Sequence, residues 1–203
     1  MKAVWEDERE NAAPVELSDE SLCERVAGRD EAAFNLLVER YQQRAYRLAW
    51  SILRDAEEAR DLSQEAFIRL YQAAGSFGGR ARFSTWFYRI LVNLCLDHRR
   101  KHRWWRRVVA PVHSEDEAEG SVVERLPAPA HDPLEELGRG RVMSRLWAAV
   151  DGLSHQQRAA LLLQVQEGLP TAEIALVLKC SEATVRVHLH RALTALRKTL
   201  GGA

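Results

Sequence analysis

The stretch from Thr171 to Leu200 constrains this chain more than any other, because two amphipathic helix patterns flank a break only a few residues long. Ile174, Ala175 and Leu178 form the apolar face of the first pattern. Cys180-Ser181 make the break, and Val185, Leu189, Leu193, Leu196 and Leu200 recur at helical spacing beyond it. Ala175 is small where two helices must cross closely, and Val185 is placed to wedge the second against the first. At about 100° per residue, Thr184, Val187, His188, Arg191 and Lys198 fall opposite the apolar stripe, with Arg186 at its flank. Such a basic, hydrogen-bonding face has the width needed to enter a DNA major groove. Taken alone, the pattern also fits an ordinary two-helix hairpin with a solvated face. The turn carries Lys179 where a helix-turn-helix commonly has Gly, and a positive φ there would cost about 1 kcal/mol.

A length of 203 residues suits one large or two small domains, and the charge map favours two. Basic and acidic residues balance at 29 each, yet they are segregated. Residues 1–79 hold 10 basic and 16 acidic side chains, and 80–107 hold 9 and 1. The pattern then repeats, with 1 and 6 over 108–134 and 9 and 6 over 135–203. A neutral total argues against a protein that coats DNA unaided, because non-specific affinity comes from clustered phosphate-neutralising cations. It suits a chain that touches nucleic acid with two patches and something else with its acidic surfaces. No apolar run reaches the roughly eighteen residues of a membrane span, and the N-terminus lacks signal-peptide character. A cytoplasmic chain without membrane insertion is therefore expected. Cys23, Cys95 and Cys180 are odd in number and far apart, which gives no disulfide framework.

Helix signals dominate and β-type alternation is scarce, which predicts an all-α fold. Asp30 is placed to cap a long helix bearing Phe34, Leu37, Val38, Tyr41, Ala45, Leu48, Ala49 and Ile52. Asp55 with Glu58 resembles a capping box; its helix runs through Ala59, Leu62, Ala66, Phe67 and Leu70 and stops near Gly75. A flexible basic loop, Gly75-Ser76-Phe77-Gly78-Gly79-Arg80, comes next. Ser84 then caps a third long helix, with Phe83 and Tyr88 as a hydrophobic staple. That helix carries Trp86, Ile90, Leu91 and Leu94 and ends in the basic run from Arg99 to Arg107. The spacing of Trp86 to Ile90 places it in the core rather than on a base-stacking platform. Four of the six prolines lie between Pro111 and Pro133, beside the acidic run Glu115-Asp116-Glu117-Ala118-Glu119, and mark a linker. Its 23 residues reach roughly 75 Å fully extended, against about 27 Å as a relaxed coil. Beyond it, Leu134 to Val150 reads as a helix, and Ser154-His155-Gln156-Gln157 as a capping box opening another that ends at Glu167-Gly168. The expected organisation is a tail (1–17), a helical domain (18–107), a Pro-rich acidic linker (108–133) and a helix-turn-helix domain (134–203).

Four blocks in this order carry a family resemblance. They are Asp61-Leu62-Ser63-Gln64-Glu65-Ala66-Phe67; Phe83-Ser84-Thr85-Trp86-Phe87-Tyr88-Arg89-Ile90 with Asn93, Asp97 and Arg99-Arg100; Leu153-Ser154-His155-Gln156-Gln157-Arg158; and the terminal helix-turn-helix. From about Leu17 to Leu200 the chain resembles the extracytoplasmic-function subfamily of sigma-70-type RNA polymerase sigma factors. The resemblance implies two small helical domains, region 2-like and region 4-like, with no catalytic activity and no cofactor. It implies three partners: core RNA polymerase (the β′ clamp helices and the β subunit), promoter DNA and an anti-sigma factor.

Residue by residue, Asp61, Leu62, Gln64 and Glu65 match the polymerase-binding helix. Asp61 and Glu65 stand at i and i+4 on one face, which suits bidentate pairing with arginines. Arg80, Phe83, Ser84, Asn93, Asp97, Arg99, Arg100 and Arg103 match the reader of the −10 element. There Asn93, Asp97 and Arg100 share a face able to meet bases and backbone. Melting requires capture of an unstacked base, and the loop before Ser84 is where the family holds it. Ser181, Thr184, Arg186, His188 and Arg191 match the −35 reader, with Ser181 on phosphate near a helix N-terminus. Val187-His188 departs from the small-plus-basic pair common in the family, which leaves the −35 sequence open. Trp104 and Trp105 either stack on bases or pack on the domain, and the acidic linker either mimics nucleic acid within the polymerase or is a solubilising spacer.

Three rival readings compete. Cys95, His98 and His102 fall at i, i+3 and i+7, and with Cys23 offer a metal site, though Cys95 fits the core equally well. A free-standing helix-turn-helix regulator would bind duplex DNA as a dimer, but the neutral charge, the second basic patch and the Asp61 block count against it. An enzyme would need a Gly-rich phosphate loop, a nucleophile elbow or a separated carboxylate pair with a base, and the sequence shows none.

Overall fold

Ser18 caps a helix that the apolar spacing left unassigned, its side chain accepting from the Ser21 backbone N–H at 3.2 Å. This is the first element of the computed structural model, which describes residues 17–109 (side chains to 102) and 143–201. Among them the order is α1 (Asp19–Ala27), α2 (Glu31–Leu53), α3 (Ala56–Ala73), a 3-10 turn (Ala74–Ser76) and α4 (Phe83–Val109). There follow α5 (residues 143–151), α6 (His155–Val165), α7 (Thr171–Leu178) and α8 (Glu182–Leu200). The fold is all-α. The N-terminal tail to residue 16, residues 110–133 of the expected linker (108 and 109 end α4), residues 134–142 of the expected helix, residues 202–203, and the Arg103, Trp104 and Trp105 side chains lie outside the described residues. No described helix is long and apolar enough to cross a membrane.

Local signals set most helix starts. Asp30 accepts from the Ala33 N–H at 3.0 Å, and that bond, with the Arg25 guanidinium, holds its carboxyl below the usual carboxylate range. Asp55 accepts from the Glu58 N–H at 2.9 Å, but the Glu58 carboxylate pairs with His98 instead of closing a capping box. At α6 both halves of the Ser154–Gln157 box are present. The start of α4 differs from expectation. Ser84 is not its cap: the helix already begins at Phe83, and the Phe83 N–H donates to Glu20 Oε1 of α1 at 2.9 Å. A remote carboxylate fills the role that a local side chain plays elsewhere. In place of the expected Phe83–Tyr88 staple, Phe83 stacks on Phe87 one turn on within the helix, with 6.2 Å between centroids and a 5° interplanar angle.

An aromatic cluster fixes α4 on its neighbours. Phe87 meets Phe67 of α3 at 4.9 Å and Tyr41 of α2 at 5.5 Å, and Tyr41 also meets Phe83 edge-on. Tyr41 donates to Asp19, which also receives Arg40 at 2.6 Å, so α1 is tied to the middle of α2. Trp86 is buried, as its spacing predicts.

The helices form two groups, α1–α4 and α5–α8, that pack on each other through α2 against α6 and α4 against α7. One apolar core runs from Leu22 and Ile52 through Phe87 and Leu91 to Leu163, Ile174 and Val185. A smaller cluster joins Val150 and Leu153 to Leu161 and Ala192. Arg158, only 2 % exposed, sits where the groups meet. It donates to the carbonyls of Ile52 (3.1 Å) and Val150 (3.2 Å) and pairs with Asp151 at 3.0 Å. Burial pulls its guanidinium down to about 10, against the attraction of Asp151, so it stays charged at neutral pH.

Removing Arg158 empties a buried site between the two groups and takes one donor from each of the Ile52 and Val150 carbonyls, which keep Arg99 and the Leu153 N–H, and from Asp151, which keeps Arg54 at 3.6 Å. Arg158→Ala is expected to lower unfolding free energy by about 2–3 kcal/mol, measured by urea denaturation. Arg158→Lys should recover only part of this, since an ammonium cannot span three acceptors.

Candidate nucleic-acid interface

The second helix of the helix-turn-helix is set by its cap. Ser181 accepts from the Thr184 N–H at 3.1 Å and opens α8, so the side chain expected on phosphate is already held at the helix N-terminus. Before it, Lys179 adopts φ 54° and ψ 45°, the left-handed conformation that the missing Gly would take freely. Val185 and Leu189 face the core. The expected stripe drifts after that: Leu193 is 42 % exposed and Leu200 is exposed, while Ala192 is buried. A spacing of four then three keeps phase with 3.6 residues per turn, whereas fours in succession walk off the face. The opposite face carries Thr184, Arg186 and Arg191 in solvent. Arg186 pairs with Glu182 one turn back at 3.0 Å. His188 is half-buried, and burial with the nearby Arg191 charge lowers its pKa, which favours the neutral imidazole.

On α4, Asp97 and Arg100 are exposed and paired at 2.8 Å, and Asn93 is half-buried with its amide donating to the Arg89 carbonyl at 2.6 Å. The carbonyl oxygen of Asn93 is the acceptor this leaves along the shared stripe. Two residues assigned to the −10 reader are corrected. Phe83 is fully buried within the aromatic cluster and presents no side-chain surface. Arg99 donates to the Ile52 carbonyl at the end of α2, so it is a structural tie. Ser84 is half-buried in the first turn. Arg80 is exposed on a loop that, with Ser76, Phe77, Gly78, Gly79, Ala81, Trp86 and Arg89, lines a cleft of about 440 Å³. Gly79 has φ +65°, which turns the loop tip. Trp86 forms the cleft floor against Phe77, 5.4 Å away. Arg89 was not singled out in the sequence, although its i+3 spacing from Trp86 places it at the same mouth.

The acidic face is on α3. Asp61 and Gln64 are exposed, and Glu65 is half-buried and pairs with Arg69 at 2.8 Å. Leu62 packs partly against the core. The metal candidates are engaged elsewhere. Cys95 is fully buried and its thiol is pushed up to about 12 by burial, while His98 pairs with Glu58 at 2.6 Å and stacks on His102. Cys23 is buried in α1, and no described group of three His, Cys, Asp or Glu residues is gathered for a metal.

Comparison with known proteins gives two family matches, Sigma-70 region 2 over residues 37–105 and Sigma-70 region 4 over residues 143–196. The RNA polymerase sigma-H factor of Pseudomonas aeruginosa is 36 % identical over 182 residues, covering 90 % of this chain and 93 % of that protein. The ECF RNA polymerase sigma-E factor of Escherichia coli is 33 % identical over 183 residues, covering 89 % and 93 %. Two solved structures share the fold. One is CnrH in complex with the cytosolic domain of CnrY, with TM-score 0.62, 22 % identity, and coverage of 90 % of this chain and 97 % of that one. The other is the sigma factor RpoE of Bartonella quintana with the anti-sigma factor NepR, with TM-score 0.62, 20 % identity, and coverage of 83 % and 97 %.

The left-handed Lys179 yields a direct expectation. Lys179→Gly should raise stability by about 1 kcal/mol in thermal or urea unfolding, since the backbone strain is relieved at an exposed side chain. An unchanged midpoint would mean that the turn carries no strain.

Proposed function

Because the chain belongs to the extracytoplasmic-function family of sigma-70-type RNA polymerase sigma factors, we propose that it docks on core polymerase and directs it to a dedicated set of promoters. It supplies no chemistry of its own, and catalysis belongs to the polymerase. The observation that carries this reading is the presence on one chain of three separate surfaces: the acidic α3 face, the basic α4 face with its cleft, and the exposed polar face of α8. A regulator that binds DNA alone has no use for the first.

In this reading, Asp61, Gln64 and Glu65, with the exposed edge of Leu62, dock on arginine-bearing clamp helices of the β′ subunit, where paired carboxylates and guanidinia fix register. Thr184, Arg186, His188 and Arg191 enter the major groove at the −35 element, and Ser181 lies near phosphate. Asn93, Asp97 and Arg100 read the −10 element, with Arg80 on backbone phosphate and Arg103 following along α4. The cleft beside Trp86 takes a base flipped out as the duplex opens, offsetting the few kcal/mol that unstacking costs. The residue boundaries 18–107 and 134–203 bound the two reading units, and residues 108–133 join them. The protein acts in the bacterial cytoplasm. An anti-sigma factor is a further expected partner, as the Bartonella quintana sigma factor has in its solved complex.

The division of labour is testable by paired substitutions. Arg191→Ala should weaken promoter binding by the holoenzyme about tenfold, equivalent to roughly 1.4 kcal/mol, with core affinity nearly unchanged. Asp61→Arg should do the reverse. Equal loss of polymerase in a pull-down for both variants contradicts the assignment.

A further inference from the structure

In the first half of α8, on its exposed face, stands a side chain that can neither donate nor accept a hydrogen bond. Val187 is 46 % exposed, next to Arg186 and His188 in the chain, three residues after Thr184 and four before Arg191. Those spacings make Thr184, Val187 and Arg191 neighbours on one side of the helix. Val185, two residues earlier, is fully buried, so the outward position of Val187 follows from helical phase. A lone exposed apolar residue is ordinary on a surface; what distinguishes this one is its surroundings.

The groups around Val187 are short of free acceptors. Arg186 and Arg191 only donate. The nearby carboxylate, Glu182, is held by Arg186 at 3.0 Å, and the Thr184 hydroxyl is shared with that of Ser181 at 2.9 Å. His188 has its Nδ1 buried with no hydrogen-bond partner. An unpaired lone pair is tolerated in such a place more readily than an unpaired N–H, which puts the proton on Nε2 and makes that nitrogen a donor.

Base edges in the major groove differ in what such a face is able to use. Adenine, guanine and thymine present acceptors there, thymine alone adds a methyl group, and cytosine presents only its amino donor. Valine discriminates by the methyl alone, while donors beside it favour an acceptor. Thymine supplies both from neighbouring positions of one ring, the C5-methyl and O4. Cytosine supplies neither, and its amino group meets no free acceptor on this face.

We propose that Val187 is a specificity residue of the −35 reader, covering a thymine methyl and so fixing an A·T pair at one position of that element. This rests on the reading above, in which the exposed face of α8 enters the major groove. Burial of one methyl group against the isopropyl side chain gives about a fourfold preference for thymine over the same base without it.

The test removes the methyl without changing base pairing. With promoters mapped from transcripts that core polymerase makes only with this chain, each −35 thymine on either strand is replaced in turn by deoxyuridine. Holoenzyme binding is then compared with that of the unmodified duplex. At one position the loss should be about fourfold, and the Val187→Ser holoenzyme should bind both duplexes equally. At that position cytosine should bind more weakly than deoxyuridine, and 5-methylcytosine should recover part of the loss. Val187→Ile, which keeps a β-branched apolar side chain, should retain the sensitivity to deoxyuridine. A wild-type holoenzyme indifferent to deoxyuridine at every −35 thymine overturns the proposal, as does a sensitivity that survives Val187→Ser. If core polymerase with the chain starts at no new site on unmodified DNA, the sigma-factor reading itself fails, and this contact fails with it.

Discussion

The C-terminal end of α2 exposes carbonyls that its own helix cannot satisfy, and two guanidinium groups from distant parts of the chain converge on one of them. Arg99 of α4 and Arg158 of α6 both donate to the Ile52 carbonyl, while Arg54 turns into the left-handed region and returns its N–H to Trp50 at 2.7 Å. Each like-charged neighbour lowers the affinity of Arg158 for its proton, and Asp151 counters them. This junction sets where α4 and α6 stand relative to α2. The phase of α4 follows: Phe87 and Leu91 toward the core, Thr85 and Tyr88 toward α7, and Asn93, Asp97 and Arg100 toward the outside. One helical period thus separates a core face, a face toward α7 and an outward polar face.

How much of this was legible in the sequence depended on the range of the interaction. Asp30, Asp55 and Ser154 each act within one turn, so their caps are readable from spacing alone. The all-α class and the core positions of α2 follow from periodicity in the same way. Apart from the short α1 with its Ser18 cap and the Ser181 cap of α8, what escaped is long-range. Glu20 caps a helix 63 residues away, which no local motif announces, and Ser84 therefore looked like the cap. Phe83 and Arg99 lie in a basic, aromatic stretch that resembles a binding surface, yet one fills the core and the other satisfies a carbonyl of another helix. On α8, Ala192 displaced Leu193 from the buried stripe because phase outranks hydrophobicity where the two conflict.

The contact between the two helical groups follows the same logic. Arg44, Tyr88, Glu167 and Glu173 are unremarkable in sequence, and only packing brings them together. The charge segregation acquires a structural meaning here: acidic residues of the second group meet basic and hydroxyl groups of the first, on a face of α4 separate from the one that carries Asn93, Asp97 and Arg100. Membership in the sigma-factor family supplies the external partners, and the three exposed surfaces are the places proposed for them.

The central claim is that this chain gives core RNA polymerase a promoter specificity it otherwise lacks. The most direct test is in-vitro transcription of fragmented genomic DNA by core polymerase, with and without the chain, mapping the 5′ ends of the transcripts. The account predicts new start sites that appear only with the chain and share two short upstream motifs centred near −10 and −35. An absence of new starts, together with a gel shift of duplex DNA by the chain alone, contradicts it.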